Sequence, residues 1–276
     1  MLGALIDGVE ASALPLADRA LHYGDGVFET MHAAGGRIPL LARHLARLEA
    51  GCHRLGIAPP EQAPLVRELA GFAERTGAGV LKLIVSRGVG GRGYRAGDGE
   101  PTRIVLAYAP EAPIEESYRE GVALGWCSLR LARGEALAGI KHLNRLEQVL
   151  ARAEVDRAGW DEGLVCDQAE RVVSATAANV FARFGSTLVT PDVSLAGVAG
   201  VARGWLLDEP PPGFDVSIRD ILPRELLASD EVFLSNAVRG IIPVASLGER
   251  RWPVGPGARS AQARFAALGI GVECGV

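Results

Sequence analysis

The stretch AGIKHLNRLEQVLAR, residues 138–152, holds Lys141, one of only two lysines in a chain of 276 residues. The other is Lys82; of the 29 basic residues the remaining 27 are arginines. A solvated surface cation can be either type. Arginine stays charged at any biological pH, whereas lysine can lose its proton and form a Schiff base with a carbonyl. Lysine at position 141 of so arginine-rich a chain therefore points to amine chemistry. Downstream, NRLEQVLARAEVDRAG reads as a helix with Asn144 as N-cap, Glu147 three residues on and Gly159 as the stop. Lys141 is then expected three residues before the cap, where the positive end of the helix dipole disfavours an extra proton.

Working outward, the second half reads mostly as strand. VALGWCSLRLA is one strand, EGLVCD and RVVSA form a hairpin, and NVFARF, STLVTP and EVFLSNAVRGIIPV add more β-structure. In the first half, VFETMHAAGGRI reads as a strand and a Gly-Gly turn. Leu41, Leu45, Leu48, Cys52 and Leu55 recur at spacings of four and three, one apolar helix face with Gly56 just beyond it. A second helix, PLVRELAGFAERTG, precedes two strands, VLKLIVSR and RIVLAYAP. Proline and acid then cluster near residues 109–118. The expected organisation is a smaller α/β domain at 1–110, a linker at 111–118 and a larger domain at 119–276. The fold class is α/β (α+β) in two lobes with sizeable sheets.

Composition excludes several classes. Hydrophobic residues make up 48% and charged ones 22%, globular values, and a net charge of −4 carries no nucleic-acid footprint. Cys52, Cys127, Cys166 and Cys274 form no CxxC pair, which argues against zinc and for reduced thiols in the cytoplasm. His22, His32, His44, His53 and His142 show no metal-binding spacing, and no metal is expected. No window is apolar enough for a signal peptide or a membrane span. GVGGRG, residues 88–93, matches G-x-G-x-x-G after a strand, but YRAGDGEP follows where a dinucleotide fold needs a helix. It reads as a flexible loop, a candidate substrate lid.

Seven blocks occur in order: LADRALHYGDGVFET, RHLARLEAGCHRLGI, GVLKLIVSRGVGGRGY, LAGIKHLNRLEQVLAR, SATAANVF, GVAGVARGW and EVFLSNAVRGIIPV. Together they resemble the fold-type IV pyridoxal-phosphate enzymes, a two-domain family, over about residues 3 to 246. Within it the GIKHLNRLEQVL block is closest to the aminodeoxychorismate lyase branch and differs from branched-chain and D-amino-acid aminotransferases. The resemblance implies pyridoxal 5'-phosphate as cofactor, with Lys141 as its Schiff-base lysine. Arg47, on the helix face opposite the leucines, matches the family's phosphate-binding arginine. Val201 and Ala202 match backbone N–H donors to the phosphate at a helix start, and Asn236 and Ala237 a second phosphate-side turn. Ala177, Ala178 and Asn179 would run along the ring edge. Lys82, inside a strand, is expected to be structural.

One position departs from the family. Where a glutamate normally keeps the pyridine nitrogen protonated, this chain has Ser174. A hydroxyl cannot hold a pyridinium strongly, so the ring becomes a weaker electron sink. Transamination should suffer, whereas elimination of a good leaving group tolerates the change. The implied activity is release of pyruvate from 4-amino-4-deoxychorismate to give 4-aminobenzoate, a step of folate synthesis. The alternatives are an aminotransferase for D- or branched-chain amino acids, or a weakly catalytic relative. The substrate is a dianion, so Arg92 is the first candidate to bind it, with Tyr94 and Thr30 behind. The family also implies a homodimer, a neighbouring subunit's loop completing the site.

Overall fold

The structure, a computed structural model, describes residues 1–97, 99–110, 112 and 114–272. The chain divides into two compact units, one of Met1–Ala112 with Ile140–Asn144, the other of 113–139 with 145–276. Of the expected linker at 111–118, positions 111 and 113 lie outside the described residues, as does Cys274.

The first unit contains β1 (Gly3–Ile6), β2 (Val9–Glu10), α1 (Arg19–Tyr23), β3 (Gly26–His32), α2 (Leu41–Leu55), α3 (Gln62–Thr76), β4 (Val80–Ser86) and β5 (Thr102–Tyr108). Its sheet runs β2-β1-β5-β4-β3 and is antiparallel throughout. The strands alternate as period-two patterning requires: Val27, Glu29 and Met31 are buried, while Phe28, Thr30 and His32 are half-buried. The apolar stripe of α2 packs on the buried face with Leu65, Leu69 and Phe72 of α3 and Leu81, Leu83 and Val105 of the sheet. Each fully buried leucine there contributes roughly 1.5–3 kcal/mol. α2 stops at Gly56, whose φ of 64° suits glycine and lets its N–H reach the carbonyls of Cys52 and His53.

The second unit contains α4 (Glu115–Arg119), β6 (Val122–Leu131), α5 (Leu146–Ala158), β7 (Glu162–Asp167), β8 (Val172–Ala175), β9 (Asn179–Phe184), β10 (Thr187–Thr190), α6 (Val201–Asp208), β11 (Asp215–Ile218), α7 (Pro223–Leu227), β12 (Glu231–Asn236), β13 (Gly240–Leu247), β14 (Arg250–Arg251) and α8 (Pro256–Ala267). Among the described residues they form a nine-stranded mixed sheet in the order β11-β10-β9-β12-β13-β6-β7-β8, with β14 paired to β13. β6 runs parallel to both β13 and β7; β7 and β8 are the expected hairpin. One cluster gathers Leu164, Val180, Val232, Leu234 and Val244. A second sets Val165 and Val173 against Ala151 and Val155 of α5.

The start of α5 corrects the sequence reading. Its N-cap is Arg145, with no side-chain cap bond. The Asn144 amide instead donates to the Gly24 carbonyl at 3.1 Å, and Glu147 accepts from the Ala132 N–H at 2.8 Å. Tertiary partners have taken both halves of the expected capping box. Gly159 does end the helix, at a φ of 70°.

Candidate active site

Lys141 is not held by a helix mouth. The segment Ile140–Asn144 lies along β3 as a short added strand: the Phe28 N–H donates to the Lys141 carbonyl at 2.9 Å, and the Leu143 N–H to the Gly26 carbonyl at 2.9 Å. α5 begins only at Leu146, so the dipole argument for Lys141 falls away. This pairing sets the lysine side chain over Phe28, with Nζ 4.4 Å from the ring centroid. Lys82 Nζ lies 5.0 Å from the same centroid. The only two lysines of the chain thus share one aromatic ring. Register accounts for Lys82: it stands opposite Thr30, two residues along from Phe28 and on the same face. Lys141, Lys82, Phe28 and Thr30 therefore form one group.

Arg47 sits on the other side of the pleat. Its guanidinium donates from Nε to Glu29 Oε1 at 2.7 Å and from Nη2 to Oε2 at 2.5 Å. The Arg47 side chain is only 14% exposed, so it is no solvated helix cation. His44, one turn earlier, bonds Glu29 Oε2 through Nδ1 at 2.6 Å. Burial pushes the Glu29 carboxyl up, but Arg47 and His44 outweigh it and hold the group below the usual carboxylate range. Glu29 is therefore an ionised, buried carboxylate that fixes the Arg47 fork. Arg92 and Tyr94 are exposed on the glycine-rich loop, Tyr94 by 90%.

The second unit carries the other candidates. Ser174 is half-buried on β8 and pairs in register with Val165. A tight turn follows, closed by the Ala175 N–H on the Ala178 carbonyl at 2.8 Å, with Ala177 exposed at its tip. Asn179 is buried and its Nδ2 donates to the Val198 carbonyl at 2.9 Å. That bond draws the chain before α6 against β9. A Cβ at Gly200 would lie 1.9 Å from Asn179 Oδ1, so only glycine fits as the helix N-cap. No side chain caps α6, and the N–H groups of Val201 and Ala202 stand in its open first turn. Asn236 ends β12; its Oδ1 accepts from the N–H groups of Val238 and Arg239 at 3.0 and 2.7 Å, and its Nδ2 donates to the Ala177 carbonyl at 3.4 Å. Ala237 lies inside that turn. Ala177–Asn179 and Asn236–Ala237 are thus tied together, and Asn179 links them to the α6 entrance.

The first unit offers a lysine, the group that condenses with a carbonyl; the second offers an uncapped helix start with a glycine at its N-cap, the kind of end that receives an anion. The chain belongs to the class IV aminotransferase family, whose description matches residues 26–247. A crystal structure of 4-amino-4-deoxychorismate lyase from Pseudomonas aeruginosa superposes with a TM-score of 0.91 at 47% identity, covering 96% of this chain and 98% of that one. The aminodeoxychorismate lyase of Vibrio harveyi is 33% identical over 88% of this chain and 90% of its own length. A putative branched-chain-amino-acid aminotransferase of Methanocaldococcus jannaschii is 29% identical over 90% of this chain and 87% of its own. Among the described residues no helix is long and apolar enough to cross a membrane.

Proposed function

We propose that this protein is a pyridoxal-phosphate-dependent lyase that converts 4-amino-4-deoxychorismate to 4-aminobenzoate and pyruvate, a step of folate synthesis. The observation that carries the reading is Lys141, held over Phe28 within the block GIKHLNRLEQVL, in a chain 47% identical to a solved enzyme of that name. Pyridoxal phosphate, when bound, supplies an electron-withdrawing ring that spreads the negative charge left by removal of a proton next to the substrate's amine.

The chain's own groups divide the remaining work. Lys141 Nζ would hold the cofactor's aldehyde and, when free, would take the C4 proton of the substrate. It then delivers a proton to the departing enolpyruvyl oxygen, and formation of the aromatic ring drives the step. The Phe28 ring limits where Nζ can go. Arg47, aimed by Glu29, and the N–H groups of Val201 and Ala202 bind the phosphate, supported by the Asn236–Ala237 turn. Ala177, Ala178 and Asn179 would border the ring, and Ser174 would meet its nitrogen. Lys82, beside Thr30, supplies positive charge to a substrate carboxylate, a role that strand placement alone did not suggest. Arg92 and Tyr94 on their loop bind the dianion.

The domain division proposed is 1–110 and 119–276, except that Ile140–Asn144, with Lys141, groups with the first unit. The proposed assembly is a homodimer: Leu146, Val149 and Leu150 of α5 are 75%, 59% and 58% exposed at spacings of three and four, an apolar face that a second copy would cover. The setting proposed is the cytoplasm, where the free thiols of Cys52, Cys127 and Cys166 persist. An aminotransferase is the second reading, favoured by the Methanocaldococcus relative; Ser174 counts against it.

Borohydride reduction of the purified holoenzyme followed by peptide mapping tests the assignment. The pyridoxyl mass is expected on Lys141. Labelling of Lys82, or no label, would overturn it.

A further inference from the structure

Within the first unit the glycine-rich loop at 88–95 is fastened to α1 and the residue before it. Asp18, fully buried, caps α1 by accepting the Ala20 N–H at 2.8 Å and also accepts the Ser86 hydroxyl at 3.0 Å. It pairs with Val89 across a β-bridge, and the Arg19 N–H reaches the Gly88 carbonyl at 2.9 Å. The Arg19 side chain then turns under the loop. Its Nη1 donates to the carbonyls of Gly93 and Arg95 at 3.0 and 3.4 Å, and its Nη2 to that of Tyr94 at 3.4 Å. Its Nε is held by Asp25 Oδ2 at 2.8 Å, and Arg87 Nε binds the same oxygen at 2.8 Å.

The rest of the cage is aromatic and glycine. The Arg19 guanidinium lies 4.6 Å from the Tyr23 ring centroid; the Tyr23 hydroxyl accepts the Gly93 N–H at 3.0 Å, and the Tyr94 ring rests 5.6 Å from that of Tyr23. A Cβ at Gly90 would come within 2.7 Å of Arg19 Cδ, so the glycine there makes room for this side chain. Arg19 is only 5% exposed. Three successive backbone carbonyls converging on one buried fork call for the planar, five-donor guanidinium; an ammonium cannot reach them together.

We propose that Arg19 is the positioning residue of the glycine-rich loop, a buried latch that presents Arg92 to the anionic substrate already ordered. Pre-ordering spares substrate binding the cost of fixing the loop. The latch itself stands on the geometry above; its effect on substrate rests on the reading that Arg92 binds the dianion.

Arg19→Met, Arg19→Lys and Tyr23→Phe holoenzymes are to be compared with wild type by brief trypsin exposure, with mass spectrometry of cleavage after Arg92 and Arg95, and by steady-state kinetics. Loss of charge-assisted bonds in Arg19→Met should speed cleavage at those two sites by about tenfold or more and raise KM for aminodeoxychorismate by about tenfold, with kcat and the cofactor's absorbance within about twofold. Arg19→Lys and Tyr23→Phe, which keep most of the packing, should move both readouts the same way by about threefold. Unchanged cleavage after Arg92 and Arg95 in all three variants, or an equal rise at arginines throughout the chain, would refute the latch. Arg92→Ala separates the two claims. If it leaves KM unchanged, the Arg92 reading fails; if it raises KM while Arg19→Met and Arg19→Lys do not, the positioning role of Arg19 fails.

Discussion

Ser174 shares the pleat side of Val165, its register partner across the β7–β8 hairpin. Glu162 on the same hairpin is no substitute carboxylate. Strand alternation puts it on the face of Leu164, and it accepts the Thr176 hydroxyl at 2.5 Å and the Gly163 N–H at 2.9 Å. In the proposed site the ring nitrogen would meet the Ser174 hydroxyl, which stabilises a pyridinium far less than a carboxylate does. Elimination should outpace transamination in the wild type. In Ser174→Glu, restored ring protonation should raise half-transamination of D-alanine or branched-chain amino acids by about tenfold, the effect of roughly one pKa unit. Following the cofactor's absorbance on mixing measures this directly. A product ratio untouched by the substitution would rule out the electron-sink account.

At the scale of elements, the approach of the chain before α6 to β9 depends on Gly200 and Asn179. Gly200→Ala forces a Cβ onto Asn179 Oδ1, so either the Asn179–Val198 bond breaks or the helix entrance moves. The expected cost is about 2–3 kcal/mol of stability, with cofactor retention weakened about tenfold, readable by thermal unfolding with and without pyridoxal phosphate. Much of this architecture is legible in the sequence where local signals agree. α2 follows from the stripe of Leu41, Leu45, Leu48, Cys52 and Leu55 with its glycine stop, and the β7–β8 hairpin from alternating apolar runs. The start of α5 is misread because Gly24 and Ala132, both distant in sequence, claim the side chains of Asn144 and Glu147. Lys141 stands out through composition alone. Its placement over Phe28 does not, because the strand that carries it borrows β3, more than a hundred residues earlier. The Arg47–Glu29 pair is hidden likewise, being a contact between a helix and a strand rather than a motif.

For the whole molecule, the decisive question is what covers α5. A helix that buries Ala151 and Val155 on one side and exposes Leu146, Val149 and Leu150 on another has apolar surface in two directions. Formation of the proposed dimer should therefore be sensitive to charge on the outer side. Val149→Asp and Leu150→Asp together are expected to convert the protein from twice the 29.0 kDa chain mass to a single chain in sedimentation, while leaving the fold's circular dichroism intact. A wild type that sediments as a stable, active single chain would refute the dimer.

The sharing of one phenyl ring by both lysines has a practical consequence for labelling. Acylating esters, isothiocyanate dyes and dialdehyde fixatives normally decorate a protein's exterior through its many side-chain amines. Here an arginine-dressed exterior offers those reagents almost nothing, and the side-chain amines they seek sit together beside Phe28. Such a reagent becomes a probe of the lysine pair itself: its rate of incorporation should report whether the cofactor's aldehyde already occupies Lys141, and any attempt to immobilise the protein through lysine would anchor it by its own chemistry.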